Sequence, residues 1–399
     1  MSWQSPSGDF AFGFLPILSE ENRFLLAIYY AKIPERTIVW YANGENPAER
    51  DSKVELTNSG HLVLRDPKGD EFWRSQSQND AQVSHAAMLD TGNFVITSKS
   101  SNIWESFKYP TDTILPTQEL DVNGRLVSAL TETSYKKGKY QLRFNQGSLG
   151  LNQIEMFTRK NYNQYFFLGN GSLNRLIFEK SGYLQLQGSN GSLAKLAPEN
   201  AVPQPELYYY RAKLNFDGVL TFESYPRNGG TWSAWWFRPR DICSRFVVEF
   251  TDKLGNGPCG YNSICEPIKG RPNCTCPPGF SFLDDKNPYI GCKQDYVSSE
   301  DCNPDGSTNE IDRFEFKSMQ FADFPLTDYG ILQPANELEC KQSCLLDCTC
   351  VVAILQDPTL SKDGNGTCWK KKLPLTSGWF NRDAVDRTAL FKTLAFSDL

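Results

Sequence analysis

Ser59-Gly-His-Leu-Val-Leu64, Thr91-Gly-Asn-Phe-Val-Ile96 and Asn123-Gly-Arg-Leu-Val-Ser128 share one frame: a polar residue, a glycine, a variable position, then an apolar residue and Val. Their glycines, at 60, 92 and 124, stand 32 residues apart. Weaker copies occur at Ser181-Gly-Tyr-Leu-Gln-Leu186 and Asp217-Gly-Val-Leu-Thr-Phe222. A fixed period of this size means a small sheet repeated, each copy unable to bury its apolar face alone. Glycine supplies the positive φ of tight hairpins, and short apolar or alternating runs such as Thr37-Ile-Val-Trp40, Val54-Glu-Leu-Thr57 and Leu62-Val-Leu64 lie among the turns. No long segment of residues 1–240 sustains a 3.6-residue period. The region reads as all β, built of many short strands. Periods of roughly 30 also occur in propellers and solenoids, so spacing alone leaves the architecture open.

Around this repeat, composition sets bounds. The 399 residues are 40% hydrophobic and 22% charged, an ordinary globular balance, and at roughly 150 residues per domain they predict two to four domains. Forty-one basic against 47 acidic side chains leave a net charge of −6 with no basic stripe, which excludes a nucleic-acid partner. Two histidines, His61 and His85, leave little room for imidazole catalysis or a His-based metal site. All 12 cysteines fall between Cys243 and Cys368, and the first 242 residues have none. Clustered cysteines in even number read as disulfides of an oxidising compartment. Glycosylation sequons at Asn170, Asn190, Asn273 and Asn365 agree with that compartment. The chain opens Met1-Ser-Trp-Gln-Ser-Pro without a charged start or apolar h-region. Its longest apolar runs, such as Phe24–Ala31, fall short of the ~20 residues of a membrane helix. The expectation is an extracellular, mature ectodomain whose signal peptide and transmembrane helix are absent, with membrane attachment only through a missing downstream segment.

Three strings carry a family resemblance. Trp3-x-Ser5-Pro-Ser-Gly-Asp-Phe-x-Phe12-Gly-Phe14, Thr37-Ile-Val-Trp40-Tyr-Ala-Asn43 and Trp104-Glu-Ser-Phe-Lys-Tyr-Pro110-Thr-Asp-Thr-Ile-Leu-Pro116 resemble the markers of the bulb-type (G-type) lectin domain. They are most similar to its form in plant S-domain receptor-like kinases. The resemblance implies two tandem β-prism domains, at 1–108 and 109–240, each with small antiparallel sheets about a pseudo-threefold axis. In mannose-binding bulb lectins each sugar site reads Gln-x-Asp-x-Asn-x-Val-x-Tyr. The copies here read Thr57, Ser59, His61, Val63, Arg65; Leu89, Thr91, Asn93, Val95, Thr97; Asp121, Asn123, Arg125, Val127, Ala129; Glu179, Ser181, Tyr183, Gln185, Gln187; and Asn215, Asp217, Val219, Thr221, Glu223. None keeps more than two of the five. The bland reading is hairpins kept for the fold; the sharp one is a residual sugar site, and Asn93 with Val95 is its least eroded candidate. Trp232-Ser-Ala-Trp235-Trp236-Phe237 is weighed the same way, as core or as an aromatic surface of Trp232, Trp235 and Trp236 for a sugar or apolar ligand.

In the cysteine-rich part, Cys259-Gly-Tyr-Asn-Ser-Ile-Cys265-x8-Cys274-x-Cys276-Pro-Pro-Gly-Phe280 followed by Cys292 resembles an EGF-like module, placed at 241–300. That resemblance implies Cys243–Cys265, Cys259–Cys274 and Cys276–Cys292. The calcium-binding consensus is missing before Cys243. Downstream, Asn336-Glu-Leu-Glu339 reads as a helix start with a capping box, and Cys340, Cys344 and Cys348 follow along one helical stripe. Arithmetic alone allows 15 pairings of the last six cysteines, and a thiolate metal cluster is the competing reading. Cys340-x3-Cys-Leu-Leu-Asp-Cys348-Thr-Cys350 and Cys368-Trp-Lys-Lys-Lys-Leu-Pro374 resemble a PAN/apple domain (α+β), placed at 301–399. It implies Cys340–Cys368 and Cys344–Cys350, leaving Cys302–Cys348. Lys370-Lys-Lys372 reads as a solvated face.

The order lectin, lectin, EGF, PAN resembles the extracellular region of a G-type lectin S-receptor-like serine/threonine kinase. The implied function is perception of an extracellular ligand (glycan, lipid-like or peptide) through binding and homodimer or co-receptor association, in immune or recognition signalling. The alternative is a mannose-type carbohydrate-binding lectin. A glycan-active enzyme using two carboxylates is a third class, with no string to single out a pair. The expectation for this chain is no catalysis, cofactor or metal.

Overall fold

A computed structural model describes residues 2–76, 83–99, 101–156, 158–169, 171–246, 255–296, 307, 311–326, 328–356 and 366–395. The fold is mainly β, with one α-helix among the described residues. Two compact units divide near residue 239.

Among the described residues the first unit holds six sheets in two sets of three. In the first set, Ser2–Gln4, Phe10–Pro16, Arg23–Tyr30 and Ile38–Tyr41 run antiparallel in that order, with Ala48–Glu49 off Arg23–Tyr30. Lys53–Leu56, Leu62–Arg65 and Glu71–Arg74 form a second sheet, and His85–Met88, Phe94–Thr97 and Asn102–Glu105 a third. The apolar triplets of the repeat are the central strands, so both Leu62-Val-Leu64 and Phe94-Val-Ile96 are buried throughout. Phe12, Ile28, Trp40, Leu64, Phe94 and Trp104 meet in one core. Each such side chain contributes roughly 1.5–3 kcal/mol by leaving water.

Serines mark the threefold. In Trp3-Gln-Ser5, Trp73-Arg-Ser75 and Trp104-Glu-Ser106 the buried hydroxyl oxygen accepts a backbone N–H from the start of a neighbouring strand: Phe10 at 3.2 Å, Leu62 at 2.9 Å and Phe94 at 2.9 Å. A side chain thus satisfies a donor the ladder leaves open, once per sheet.

The second set is stitched by the segment from 113 to 129, which gives one edge strand to each of its three sheets. Thr113–Ile114 joins Tyr208–Leu214, Leu220–Pro226 and Ser233–Arg238. Glu119–Asp121 joins Leu173–Phe178, Leu184–Gly188 and Leu193–Ala197. Arg125–Ala129 joins Lys137–Asn145, Ser148–Ile154 and Asn161–Gly169.

Four of the five repeat copies fold alike. The residue three before each glycine donates its N–H to the carbonyl four residues on and accepts from the glycine: Thr57/His61, Leu89/Asn93, Glu179/Tyr183 and Asn215/Val219. Gly60, Gly92, Gly182 and Gly218 all have φ between 84° and 94°. The third copy differs. Gly124 lacks positive φ, and its strand Arg125–Ala129 lies at a sheet edge rather than the centre. Its 32-residue spacing is shared, but its role in the sheet is not.

In the second unit, Ile264–Ile268 and Arg271–Thr275 form a hairpin, and Gly378–Phe380 pairs parallel to Ile264–Ile268 and antiparallel to Ala322–Asp323. One sheet therefore draws strands from both sides of residue 300. Phe314–Gln320, Arg387–Leu394, Val352–Gln356, Thr367–Lys371 and Asp328–Leu332 form a five-stranded sheet. The helix Glu337–Leu345 starts at Asn336 with the reciprocal Asn336–Glu339 capping box and buries Cys340 and Cys344. The lysine run is not a solvated face. Strand alternation sends Lys371 inward, 1% exposed, onto Asp328, while Lys370 bonds Asp347 at 2.7 Å.

Candidate functional site

Asn93 follows the left-handed Gly92 in the second repeat and lines a cleft of about 550 Å³ with Glu105, Lys108, Glu119, Asp121 and Arg175. Its side chain is already engaged. Oδ1 accepts from the Ser106 hydroxyl and the Phe107 N–H, both at 3.1 Å, and Nδ2 donates to Glu105 at 2.9 Å. Val95 is buried. The charged wall is also internally paired: Arg175 meets Glu119 at 3.1 Å, and Asp121 Oδ1 accepts from the Asn123 and Gly124 N–H groups.

The same inward engagement appears in the other copies. His61 Nδ1 lies 3.0 Å from the Ser75 carbonyl, and the Ser181 hydroxyl donates to Glu179 at 2.8 Å. In the fifth copy, Asn215 donates to Thr221, Thr221 to Glu223, and Glu223 pairs with Arg211 at 2.7 Å. Burial pushes the Glu223 carboxyl up, but Arg211 and Thr221 outweigh it and hold the group below the usual carboxylate range. Side chains at these repeat positions bond neighbouring side chains and backbone groups of the protein.

The three tryptophans go to separate places. Trp232 donates to Thr37 at 2.9 Å, packs on Tyr30 and Tyr225, and lies under the Arg211 guanidinium at 4.2 Å. Trp235 meets Tyr208 and Tyr210 edge-on. Trp236 is buried on the opposite face of the strand and donates to Glu199 at 2.9 Å. The structure does not gather them into one surface.

Among the described residues five bridges are formed: Cys243–Cys265, Cys259–Cys274, Cys276–Cys292, Cys340–Cys368 and Cys344–Cys350. Cys302, the expected partner of Cys348, lies outside the described residues, as do Asn170 and Asn365. Asn190 is exposed in a hairpin turn and Asn273 half-buried in the strand Arg271–Thr275. No group of three or more His, Cys, Asp or Glu side chains that could hold a metal occurs among the described residues.

A second, larger cleft of about 840 Å³ was not anticipated. Tyr41, Phe72, Trp73, Tyr109 and Tyr135 line it together with Lys108, Arg125, Lys137 and Arg159, and Glu45 is its one carboxylate. Those residues come from segments far apart in sequence, so no local string announces them. The signal within reach was Trp73-Arg-Ser75, which matches Trp3-Gln-Ser5 and Trp104-Glu-Ser106 and fixes where Trp73 must sit.

The D-mannose binding lectin family model matches residues 37–136. Over 98% of its length the chain is 35% identical to the G-type lectin S-receptor-like serine/threonine-protein kinase LECRK1 of Oryza sativa subsp. japonica, covering 49% of that protein. It is 34% identical over 94% of its length to RLK1 of the same description from Arabidopsis thaliana, covering 46% of it. Among solved structures, a two-domain fetuin-binding agglutinin from Scilla campanulata aligns over 59% of this chain and 90% of its own, at 14% identity and a TM-score of 0.22.

Proposed function

Because the chain belongs to the plant G-type lectin S-receptor-like kinase family and spans about half the length of the curated relatives it matches, we propose that it is the ligand-perception region of such a receptor. The observation that carries this is similarity running through both units rather than the matched lectin segment alone. Recognition is extracellular. The ligand binds the lectin-like unit, and signalling follows from homodimerisation or recruitment of a co-receptor, in immune or recognition responses. The EGF-like segment 241–300 and the PAN-like segment 301–399 supply the association surfaces. Phosphotransfer is assigned to the part of the receptor beyond this chain, which itself performs no chemistry.

Engagement of Asn93, Glu223 and their counterparts in internal bonds supports a ligand other than mannose, because a sugar would have to displace those bonds at about 1–3 kcal/mol for each buried group left unpaired. A mannose-type lectin is the second reading, favoured by the matched family model and the cleft at Asn93. A glycan array separates the two: mannose binding lost in Asn93→Ala supports the lectin, and a blank array removes it. The perception reading is tested in plant cells carrying the full receptor with or without this region. The response to apoplastic extract is expected to disappear on deletion, with light scattering of the glycosylated chain reading dimer formation. An undiminished response sinks the proposal.

A further inference from the structure

We propose that the 840 Å³ cleft of the lectin-like unit binds an acidic, uronate-bearing oligosaccharide. This deepens the perception reading, on which it rests, by naming a ligand class and a place outside the eroded repeat positions.

Size comes first: the cleft falls within the ~300–1,000 Å³ range of small-ligand sites. Charge comes next. Lys108, Arg125, Lys137 and Arg159 face one carboxylate, Glu45, whose Oε1 already accepts the backbone N–H of Lys137 at 3.0 Å. Arg125 and Lys137 are exposed and form no ion pair among the described residues, whereas Lys108 reaches Glu105 at 4.0 Å. The cleft at Asn93 lacks this surplus, since Glu105, Glu119 and Asp121 there outnumber Lys108 and Arg175. A net −6 chain that gathers unpaired cations around one cavity calls for an anion there.

Anionic charge alone does not describe the ligand. Half-buried Trp73, held edge-on against Trp40 at 6.3 Å, and Tyr109, whose hydroxyl donates to the Gln76 carbonyl, present ring surface to the cleft. Aromatic walls favour a partner with a flat apolar face. The buried Gln141 side chain, 6% exposed, lines the cavity, and its Oε1 has no hydrogen-bond partner; neither does Thr111 Oγ1. An amide oxygen only accepts, so it is satisfied by a donor, which a fully ionised phosphate or a bare carboxylate is not. Cations that need a carboxylate, an acceptor that needs a hydroxyl, and rings that need an apolar face converge on a sugar acid. Asn46, Asn123 and Asn161 on the rim add further hydrogen-bonding amides.

The test is calorimetric titration of the intact glycosylated chain with trigalacturonate, its methyl ester and neutral maltotriose. Trigalacturonate is expected to bind one to one, at least about tenfold tighter than its ester or maltotriose, and to weaken as salt rises. Arg125→Glu and Lys137→Glu, both surface substitutions, are each expected to weaken it about tenfold or more. Trp73→Ala should do the same, with Trp73→Phe restoring part of the affinity if the fold is intact by circular dichroism. Equal binding of acid and ester overturns the proposal, as does unchanged affinity in both charge reversals. No binding by any of the three sugars also overturns it, while leaving the receptor-deletion experiment to judge perception separately. Trigalacturonate binding beside an undiminished response on deletion would retain the site and remove the perception reading.

Discussion

The two units solve one problem, burying the faces of small β-sheets, by different means. In the first, one core gathers 18 buried side chains, among them Phe12, Tyr30, Trp40, Phe94 and Trp104, and contains no cysteine. In the second, four of the eight buried members of the helix-side core are Cys340, Cys344, Cys350 and Cys368. Repeating a sheet three times about an axis lets each copy cover its neighbours, so area suffices. A single helix against one sheet leaves less apolar surface to bury, and crosslinks restrict the unfolded chain instead. The difference also separates the parts most tolerant of change: side chains on the rims of the first unit's clefts are not what holds its sheets together.

Reduction gives the largest expected contrast. With dithiothreitol the second unit should lose its cooperative unfolding transition, while the first keeps its melting temperature to within a degree or two. The paired variant Cys340→Ser/Cys368→Ser alone should cost about 2–5 kcal/mol, read by urea unfolding. If both units soften equally on reduction, the separation between them is wrong. Within the cysteine-free unit the hairpin glycines do the fixing. A Cβ at Gly92 would stand 2.5 Å from Leu115 and 2.9 Å from Phe10, at φ +86°. Gly92→Ala should therefore combine left-handed strain with overpacking, at roughly 2–5 kcal/mol. Gly69→Ala has the same strain at φ +96° with nothing within 4 Å, and should cost only about 1–2 kcal/mol. Equal losses at the two positions would remove the packing argument.

The β class and the hairpins of the first unit were legible because glycine and alternation are local signals, visible at Gly60, Gly92, Gly182 and Gly218. Gly124 shows the limit. Its string matches the repeat, yet partner choice in a sheet is non-local, and the 113–129 segment hands its three strands to three different sheets. The capping box at Asn336 was readable for the same local reason, whereas Lys370-Lys-Lys372 was not: its alternation depends on a strand whose partners lie elsewhere. Of the candidate site, the sequence located Asn93 but could not tell whether its amide was free, since Ser106 and Glu105 reach it across the sheet. The basic, aromatic cleft joins Trp73 to Arg125 and Lys137 through folding alone, and a one-dimensional scan finds no basic stripe.

The smallest expected effect opposes one carboxyl in each unit. Asp9 ties the first unit together, accepting from Lys32 at 2.7 Å, Arg227 at 2.8 Å and the Tyr209 hydroxyl at 3.0 Å. Burial pushes its carboxyl up, but those three bonds outweigh it, so it stays below its usual value of 3.8. Its folded form therefore holds the proton less readily than the unfolded chain. The resulting stability is present above pH 3.8 and is lost as pH falls through the lower folded value. Asp323 in the second unit is the reverse. Burial dominates over the neighbouring Arg387 and Lys371 and raises it. Its contribution is complete below pH 3.8 and disappears as pH rises through the higher folded value. Asp9→Asn should flatten the acid fall of the first transition relative to the parent, and Asp323→Asn should remove an acid-side gain from the second. Urea midpoints measured from pH 6 down to pH 3 read both. Slopes altered in the same direction by the two variants would show that the carboxyls are not held in opposite senses.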